Sequence, residues 1–487
     1  MPHRCTSQCK QFPKDECNAP RCRYIDGSQR HYCRLSYKYK MLKPSCKVTR
    51  KYKKGEEKAV AEKKIQRFIG QSEKVVKILC SNSGQCLAFG RKIAEINHFF
   101  KGFTGFEYVQ GAVKALGQPS ANGFVKEIVF DRNGYKSFAI LKSSRTPNAD
   151  NLVYEYLVGI KFINRILRQY PCFIETYGHY YYKDPSHWTR MQSTFPIYNT
   201  ILQQLELQNT VDYSRACIEP HQIAILVQHI SGAKSLFDIL SKKDGLDVVQ
   251  YDMLFILFII YQALAGICKE FTHYDLHNGN VMLYEPVPGK YIQYHYHLTK
   301  ENKTVSFKCP FIPKIIDYGR SFFDNGNINS KKIYERICKE PDCDNCGELY
   351  GFGWLEPSSS VFIRSSMKNE SHDLRLLDIV KNSFSIIVKH AKPTAIAFKR
   401  LFSLLKKVKY GIGIKDKDQK EYGTKENLKI YSDGKSIYNV TGAYILLKDL
   451  CDSPAILVEN ETRYSNPSNQ LGTLHIYDDG RSMVYDA

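Results

Sequence analysis

The sequence lacks any apolar run long enough to cross a bilayer, any leader pattern and any internal repeat. Its most apolar stretch, residues 253–268, is shorter than the roughly 20 residues that a membrane-spanning helix needs, and it continues directly into charged sequence. The first ten residues, MPHRCTSQCK, have no apolar core and no cleavage-site pattern, so no signal peptide is expected. We therefore predict a buried helix at 253–268 and no transmembrane segment, the alternative being a membrane-spanning helix at this position.

Acidic residues are scarce relative to basic ones: 49 Asp and Glu stand against 70 Lys and Arg, which gives a formal net charge of +21. The surplus is densest in the first hundred residues, for example at 47–54 and 61–67. Such a charge attracts acidic partners without specifying one, so nucleic acid, an anionic membrane surface and a phosphorylated protein all fit, as does a merely solvated basic face. The composition, with 43% hydrophobic and 13% aromatic residues over 487 positions, is typical of a globular protein of roughly two to four compact units.

Aliphatic periodicity is almost absent from residues 1–54, and a unit this small without an apolar core usually needs a metal staple. Zinc loops tolerate the spacing of its cysteine pairs, so we predict a basic, zinc-stabilised module that binds polyanions or nucleic acid. The candidate ligands are Cys5, Cys9, Cys17 and Cys22, with His3, His31 and Cys33 as further donors. Reduced thiols are the alternative. Because no leader is apparent, we expect an intracellular, reducing compartment, in which the sixteen cysteines are free thiols, metal ligands or both.

The rest of the chain predicts an α+β protein. A helical extension at 55–110 precedes a strand-rich region at 111–230, a mostly helical region at 231–455 with loops at 284–312 and 318–372, and a C-terminal tail at 456–487. Within the strand-rich region, the β-branched and aromatic runs 124–131 and 135–144 are joined through Asn133-Gly134, which predicts a hairpin. We also expect a helix at 149–168 and a buried strand at 225–230.

Two motifs carry residues suited to handling phosphate and a hard cation. In HYDLHNGN (273–280), Asp275 is placed to orient or deprotonate an acceptor hydroxyl, and Asn280 offers an amide oxygen to Mg²⁺. In IIDYG (315–319), two buried aliphatic residues hold Asp317 as a second magnesium ligand, and Gly319 is expected to allow a sharp turn. Either motif alone is common, but both follow apolar segments in an order that suits one site.

An upstream lysine completes the set. Lys142, in FAILK, lies on a predicted strand that points its amine inward to phosphates, and Glu155 on the next predicted helix is its expected partner; a surface lysine is the alternative. The phosphate-covering segment would be 119–130, which has the single glycine Gly123 and the small residues around it, followed by Val125. Backbone groups of Gln228, His229 and Ile230 are candidates for the edge of an adenine base.

At these residues, AILK (139–142), HYDLHNGN and IDYG, the chain resembles the eukaryotic-type protein kinase superfamily over about 110–455. As a whole it is similar to serine/threonine kinases encoded by large cytoplasmic DNA viruses of the iridovirus and mimivirus type. The resemblance implies a two-lobed fold with a β-rich N-lobe and a mainly helical C-lobe, ATP and Mg²⁺ as cofactors, and a protein Ser or Thr as acceptor. It also implies location in the host cytoplasm or the virion.

Carried over residue by residue, the resemblance implies that Lys142 binds the α- and β-phosphates of ATP and that Asp275 acts on the acceptor hydroxyl. It also implies that Asn280 and Asp317 bind magnesium. His273 and Asp373 would support the catalytic loop, although both are also compatible with ordinary capping or core roles.

The motifs also depart from the family pattern. Tyr274 stands where many kinases have Arg, so regulation through an Arg-bound phosphosite is not supported. His277 stands where protein kinases usually have Lys, and it is our third catalytic candidate. This replacement resembles the pattern of aminoglycoside-phosphotransferase-like and atypical kinases. The segment 318–372 has no convincing Ala-Pro-Glu and instead carries a possible zinc clip. Its ligands would be Cys338, Cys343 and Cys346, with Cys309 or His372 as the fourth. A small-molecule kinase and a pseudokinase with a nucleic-acid-binding or virion-binding module remain alternatives.

Overall fold

The computed structural model describes residues 22–27, 30–35, 77, 80, 84–117, 123–144, 152–218, 222–338, 363, 365–410 and 436–486. The chain divides into two compact units, Met1–Gly70 and Gln71–Ala487. In the first unit, strands β1 (Cys22–Gly27) and β2 (Arg30–Leu35) form an antiparallel hairpin. The predicted ligands Cys5, Cys9 and Cys17 lie outside the described residues, as does the side chain of Cys22, so zinc in this module stays a prediction.

The second unit combines helices with several antiparallel sheets, which confirms the predicted α+β class. Its helices are α1 (Ile93–Phe99), α2 (Leu152–Val158), α3 (Asn164–Ile166), α4 (Pro185–Met191), α5 (Arg215–Ile218), α6 (Leu236–Ser241), α7 (Leu246–Tyr251), α8 (Met253–Ile267), α9 (Ser330–Ile337), α10 (Arg375–His390), α11 (Ile396–Leu405), α12 (Val440–Cys451) and α13 (Pro454–Arg463). Its strands are β3 (Lys114–Ala115), β4 (Gly123–Arg132), β5 (Tyr135–Ser144), β6 (Thr176–Tyr182), β7 (Leu205–Leu207), β8 (Ile223–His229), β9 (Lys234–Ser235), β10 (Phe271–Thr272), β11 (Val281–Tyr284), β12 (Tyr291–Leu298), β13 (Lys303–Cys309), β14 (Ile312–Ile315), β15 (Phe322–Phe323), β16 (Gln470–Tyr477) and β17 (Val484–Asp486). A π-helical turn, Gly159–Ile163, joins α2 to α3.

A six-stranded sheet in the order β3-β4-β5-β8-β6-β7 carries the predicted hairpin, β4 and β5. Its turn is at Asn133 and Gly134, whose φ angles of 57° and 83° are those of the tight turn that matches strand twist. Strand β5 lies inside the sheet, with Lys142 paired to Val125 on one side and to Ile225 on the other. This pairing fixes Lys142 in the middle of a rigid sheet, and the predicted helix after it is present as α2, the π turn and α3.

The apolar run at 253–268 folds as α8, in which every residue except Ala265 and Gly266 is buried. Protein surrounds it: Phe255 stacks on Phe307 of β13 with ring centroids 4.7 Å apart, and Phe258 meets Tyr296 of β12 edge-on. The predicted buried helix is therefore confirmed. Across the described residues no single helix is long and apolar enough to span a membrane, although the bent pair Lys243–Tyr251 and Met253–Ile267, at 64°, meets the length and composition criteria together.

The two loops predicted at 284–312 and 318–372 are wrong in part. Residues 291–309 form the hairpin β12–β13, which joins β16 and β17 in a four-stranded sheet of order β13-β12-β16-β17. Strand β12 pairs in parallel with β16, so part of the predicted C-terminal tail is a sheet strand. Buried and partly buried residues of YIQYHYHL alternate along most of β12, as in a strand with one face toward the core. The second predicted loop contains β15 and α9.

The expectation that the cysteines are free thiols or metal ligands is wrong for three of them. Cys80 and Cys86 form a disulfide, and Cys338 is also disulfide-bonded. A disulfide sulfur is not the thiolate that zinc requires, so Cys338 cannot serve the predicted clip, while Cys343 and Cys346 lie outside the described residues. Buried free cysteines do occur elsewhere in the described chain: Cys172, Cys268, Cys309 and Cys451.

The two residues predicted as the fourth ligand of that clip are both fully buried. Burial raises the pKa of the Cys309 thiol well above its usual value, which disfavours the thiolate that would bind zinc. The ring of His372 packs against the rings of Tyr274 and Tyr410. Neither residue therefore supports the predicted clip.

Candidate functional site

Lys142 links the six-stranded sheet to two carboxylates from distant parts of the chain. Its ammonium donates to Glu155 Oε2 on α2 at 2.7 Å and to Asp317 Oδ1, just after β14, at 2.9 Å. The side chains of Lys142 and Glu155 are 18% and 6% exposed, and that of Asp317 is 33% exposed. The predicted Lys142–Glu155 pair is therefore present, and Asp317 shares the same lysine on a face that solvent can reach.

Asn280 and Asp317 are neighbours because they lie at the same end of the antiparallel strand pair β11 and β14. Strand β11 begins at Val281 and pairs with Ile315 of β14, and the Ile316 N–H donates to the Asn280 carbonyl at 3.0 Å. The amide nitrogen of Asn280 donates to the main-chain oxygen of Asp275 at 2.9 Å, which leaves the amide oxygen of Asn280 for another partner. An amide oxygen beside a carboxylate is the kind of donor set that Mg²⁺ accepts.

Lys142 also keeps the carboxylate of Asp317 ionised. Burial is the largest single influence and raises the pKa of Asp317, but the charge and hydrogen bond of Lys142, with smaller effects of His273 and Arg320, together outweigh it, so the pKa lies below its usual value. The backbone of Asp317 has a φ of 68°, in the left-handed region that non-glycine residues rarely adopt. Gly319, where the sequence predicted the sharp turn, is not among the residues with positive φ. The unusual backbone conformation therefore belongs to the residue that carries the functional group.

Three side chains surround the carboxylate of Asp275. Arg375 Nη1 donates to Oδ1 at 2.8 Å, His277 Nε2 lies 3.8 Å from the same oxygen, and Asn280 Nδ2 is 3.5 Å from Oδ2. His277 Nδ1 accepts from the Gly279 N–H at 3.0 Å, so the neutral ring carries its proton on Nε2, toward Asp275. Burial lowers the pKa of His277, which favours that neutral form. Oδ2 is then the more open oxygen of Asp275, suited to receive a proton from an acceptor hydroxyl.

A buried carboxylate, that of Asp373, anchors the main chain of the loop that carries Asp275. Asp373 accepts the main-chain N–H groups of His273 at 2.8 Å and of Tyr274 at 3.0 Å. Burial raises the pKa of Asp373 to about 7, against the effect of these two hydrogen bonds. His273 Nε2 donates to the Ile316 carbonyl at 3.0 Å, and burial lowers its pKa to about 4, so the ring is neutral. The two residues predicted as scaffold thus connect the Asp275 loop to the Asp317 turn.

The residues predicted to line a nucleotide pocket differ in how well their positions suit that role. Gly123 opens β4 where a Cβ would collide with the Ser143 carbonyl, so a glycine is needed there for strand approach. Residues 119–122 of the predicted phosphate-covering segment lie outside the described residues, and 124–130 belong to strand β4. Of the groups expected at a base edge, the Gln228 N–H already donates to the Glu175 carbonyl at 2.7 Å, and the Ile230 carbonyl accepts from Ala233.

Arg375 is the residue of this site that sequence reasoning missed. It lies two positions after Asp373 in SHDLRLLD (371–378) and begins helix α10. No spacing rule connects it to Asp275, from which it is separated by 100 residues. One local signal exists: a cation in the first turn opposes the helix dipole, so an arginine there needs a nearby anion to explain it.

Within the part of the chain that the structure describes, no group of three or more His, Cys, Asp or Glu side chains is placed to hold a metal ion. A magnesium ion that takes one carboxylate, one amide oxygen and substrate phosphates does not require such a group. No protein-family model matches this sequence, and the comparison with curated proteins gives no match. The functional assignment therefore depends on the chemistry of the site.

Proposed function

We propose that this chain is a Mg-ATP-dependent phosphotransferase of protein-kinase-like, two-lobed fold that transfers a γ-phosphate to a Ser or Thr hydroxyl of a protein. The observation that carries the proposal is the contact of Lys142 with both Glu155 and Asp317, at 2.7 and 2.9 Å. Strand β5, helix α2 and the segment after strand β14 each contribute one member to this charged group. Phosphoryl transfer needs such an arrangement, because positioning and neutralising the phosphates is most of the catalytic task.

The residues present fit the proposed cofactors. Asp317 and the amide oxygen of Asn280 would hold Mg²⁺, which when bound neutralises charge on the phosphate oxygens. Lys142 would bind phosphate oxygens through N–H donors, and Glu155, buried on α2, keeps the lysine in place. Each of these roles uses an atom whose position is set by main-chain pairing or by an ion pair.

Asp275 acts as the general base toward the acceptor hydroxyl. The acceptor oxygen attacks the γ-phosphorus, the bond from that phosphorus to the bridging oxygen breaks, and the acceptor proton passes to Oδ2 of Asp275. Asp373 and His273 hold the loop in place through the N–H and carbonyl contacts described above. Within the described part of the chain, a neutral His277 leaves Asp275 with one direct cationic partner, Arg375.

A small-molecule hydroxyl is the second candidate acceptor, and the specific observation in its favour is His277. This residue stands 3.8 Å from Asp275 where the resemblance leads one to expect a lysine. An acceptor panel separates the two candidates. Label from γ-labelled ATP that appears on Ser or Thr of proteins supports a protein kinase, whereas label that appears only on an aminoglycoside or a small alcohol overturns that part of the proposal.

The nucleotide site is tested by calorimetric titration of the full chain with ATP, with and without Mg²⁺. We expect Mg²⁺ to tighten ATP binding in the wild type and to have little effect in Asp317→Asn. Asp324→Asn is the matched control, because Asp324 accepts the Gly326 N–H at 2.9 Å, a bond that an amide oxygen can also accept. ATP binding that does not respond to Mg²⁺ in the wild type, or responds equally in Asp317→Asn, would refute the assigned metal ligand.

A further inference from the structure

The guanidinium of Arg375 is directed at Asp275 by a rigid local structure. Its Nη1 lies 2.8 Å from Asp275 Oδ1, and the two side chains are 20% and 18% exposed. The main chain just before it is anchored, because Asp373 accepts two N–H groups of the Asp275 loop and the Leu374 N–H donates to the Ser371 carbonyl. Arg375 therefore reaches Asp275 from a fixed base, which is what a residue with a positional role needs.

Among the described residues, most donors of this guanidinium have no hydrogen-bond partner. A guanidinium has five N–H donors, and the contact with Asp275 is the hydrogen bond that Arg375 makes within the described chain. The other N–H groups lie beside the carboxylate that the proposed function assigns to the acceptor hydroxyl. A planar fork of this kind matches the oxygens of a phosphoryl group better than an ammonium does.

The other basic side chains near Asp275 are engaged elsewhere, so Arg375 is the cation placed to bind phosphoryl oxygens beside Asp275. His277 Nδ1 already accepts the Gly279 N–H, and the ammonium of Lys142 is shared between Glu155 and Asp317. Arg320 is the other guanidinium nearby, and its charge acts on Asp317 and on His277. Arg375 is the one in contact with Asp275.

We propose that Arg375 is a catalytic residue that contacts the phosphoryl group during its transfer, a role that a lysine at position 277 would otherwise fill. This inference depends on the proposed function. The acceptor oxygen forms its bond to phosphorus, the bond to the bridging oxygen breaks with its electron pair going to the nucleoside diphosphate, and the acceptor proton goes to Asp275 Oδ2. Arg375 keeps Nη1 on Oδ1 and gives its remaining N–H groups to the oxygens of the transferring group, whose charge they stabilise.

The test compares ground-state with transition-state binding in wild type, Arg375→Ala and Arg375→Lys. The probes are MgADP alone and MgADP with aluminium fluoride, which mimics the transferring phosphoryl group. A contact made mainly in the transition state lowers kcat with little change in ground-state affinity. For Arg375→Ala we expect MgADP affinity within about twofold of wild type, and kcat and analogue affinity lower by about 100-fold, below the range known for arginine fingers.

Arg481→Ala is the matched control, because it removes a guanidinium–carboxylate contact of the same 2.8 Å length, to Asp479, on the exposed C-terminal hairpin. Millimolar guanidinium ion should restore part of the activity of Arg375→Ala and none of that of Asp275→Asn, a result that a purely structural role does not give. Arg375→Lys keeps the charge without the fork, so its analogue affinity should be intermediate.

Analogue affinity unchanged in Arg375→Ala, or fully retained in Arg375→Lys, overturns the inference while leaving the proposed function in place. Should Arg375→Ala fail to fold, the Arg375→Lys measurement decides between the same two outcomes. A wild type that neither binds MgADP nor transfers phosphate overturns the proposed function, and this inference with it.

Discussion

Replacement of Asp373 by Asn tests how strongly the fold holds the Asp275 loop. Asp373 is 2% exposed and accepts two main-chain N–H bonds, from His273 at 2.8 Å and Tyr274 at 3.0 Å. Asparagine has one acceptor oxygen, so one buried N–H is left facing the amide NH₂, which costs about 1–3 kcal/mol, and the other bond loses its charged acceptor. Tyr274, with φ of 64°, holds a conformation that costs of order 1–3 kcal/mol and that these bonds maintain.

From these terms we expect Asp373→Asn to lower the free energy of unfolding by about 3 kcal/mol. Urea unfolding at about pH 8, where the wild-type Asp373 is largely ionised, measures it. Transfer activity should fall roughly 100-fold, since a loop displacement of about 1 Å is enough for that. Asp378→Asn, in helix α10 just after Asp373 and paired with Lys381, is the control. Unfolding free energy within about 0.5 kcal/mol of wild type, the range of neutral surface changes, together with normal activity would refute the supporting role of Asp373.

Two other substitutions address the lysine and the buried histidines. Glu155→Gln removes a buried carboxylate partner of Lys142, so we expect kcat to fall roughly tenfold and the free energy of unfolding by about 1–2 kcal/mol, measured by steady-state kinetics and urea unfolding; an unchanged kcat would show that Glu155 does not position the lysine. Burial lowers the pKa of His179 to about 4 in the folded state, below about 6.5 when unfolded, so the unfolded state binds more protons between these values and stability is lost as pH falls through them. His179→Phe should make that decline shallower by up to about 1.4 kcal/mol per pH unit, and equal slopes in variant and wild type would contradict it.

The features that the sequence predicted correctly are those that depend on short, local stretches of the chain. The hairpin follows from Asn133-Gly134 because few residues accept positive φ at two successive positions. The Lys142–Glu155 pair follows from a strand and a helix that are adjacent in sequence, and their registers place both side chains on facing surfaces. The buried helix α8 follows from an unbroken apolar run.

The features that it did not predict depend on contacts between distant segments. Arg375 reaches Asp275 across 100 residues, and β12 pairs with β16 although more than 170 residues separate them, as in Tyr294 with Leu474. The sequence around either residue has no periodic pattern that identifies the distant contact, because the pairing is set by how whole elements pack. The cysteines were misjudged for a related reason, since whether Cys80 and Cys86 can join depends on their separation in space, with Cα atoms 4.3 Å apart.

The most direct test of this account is the rate of Mg²⁺-dependent γ-phosphate transfer by wild type and Asp275→Asn, measured side by side with Asp378→Asn as the control. In the proposed function Asp275 takes the acceptor proton, and its contact with Asn280 places it beside one of the proposed metal ligands. We predict measurable transfer by wild type and by Asp378→Asn, and a loss of about 100-fold or more in Asp275→Asn, within the range for a general base. Equal rates in wild type and Asp275→Asn would contradict the account.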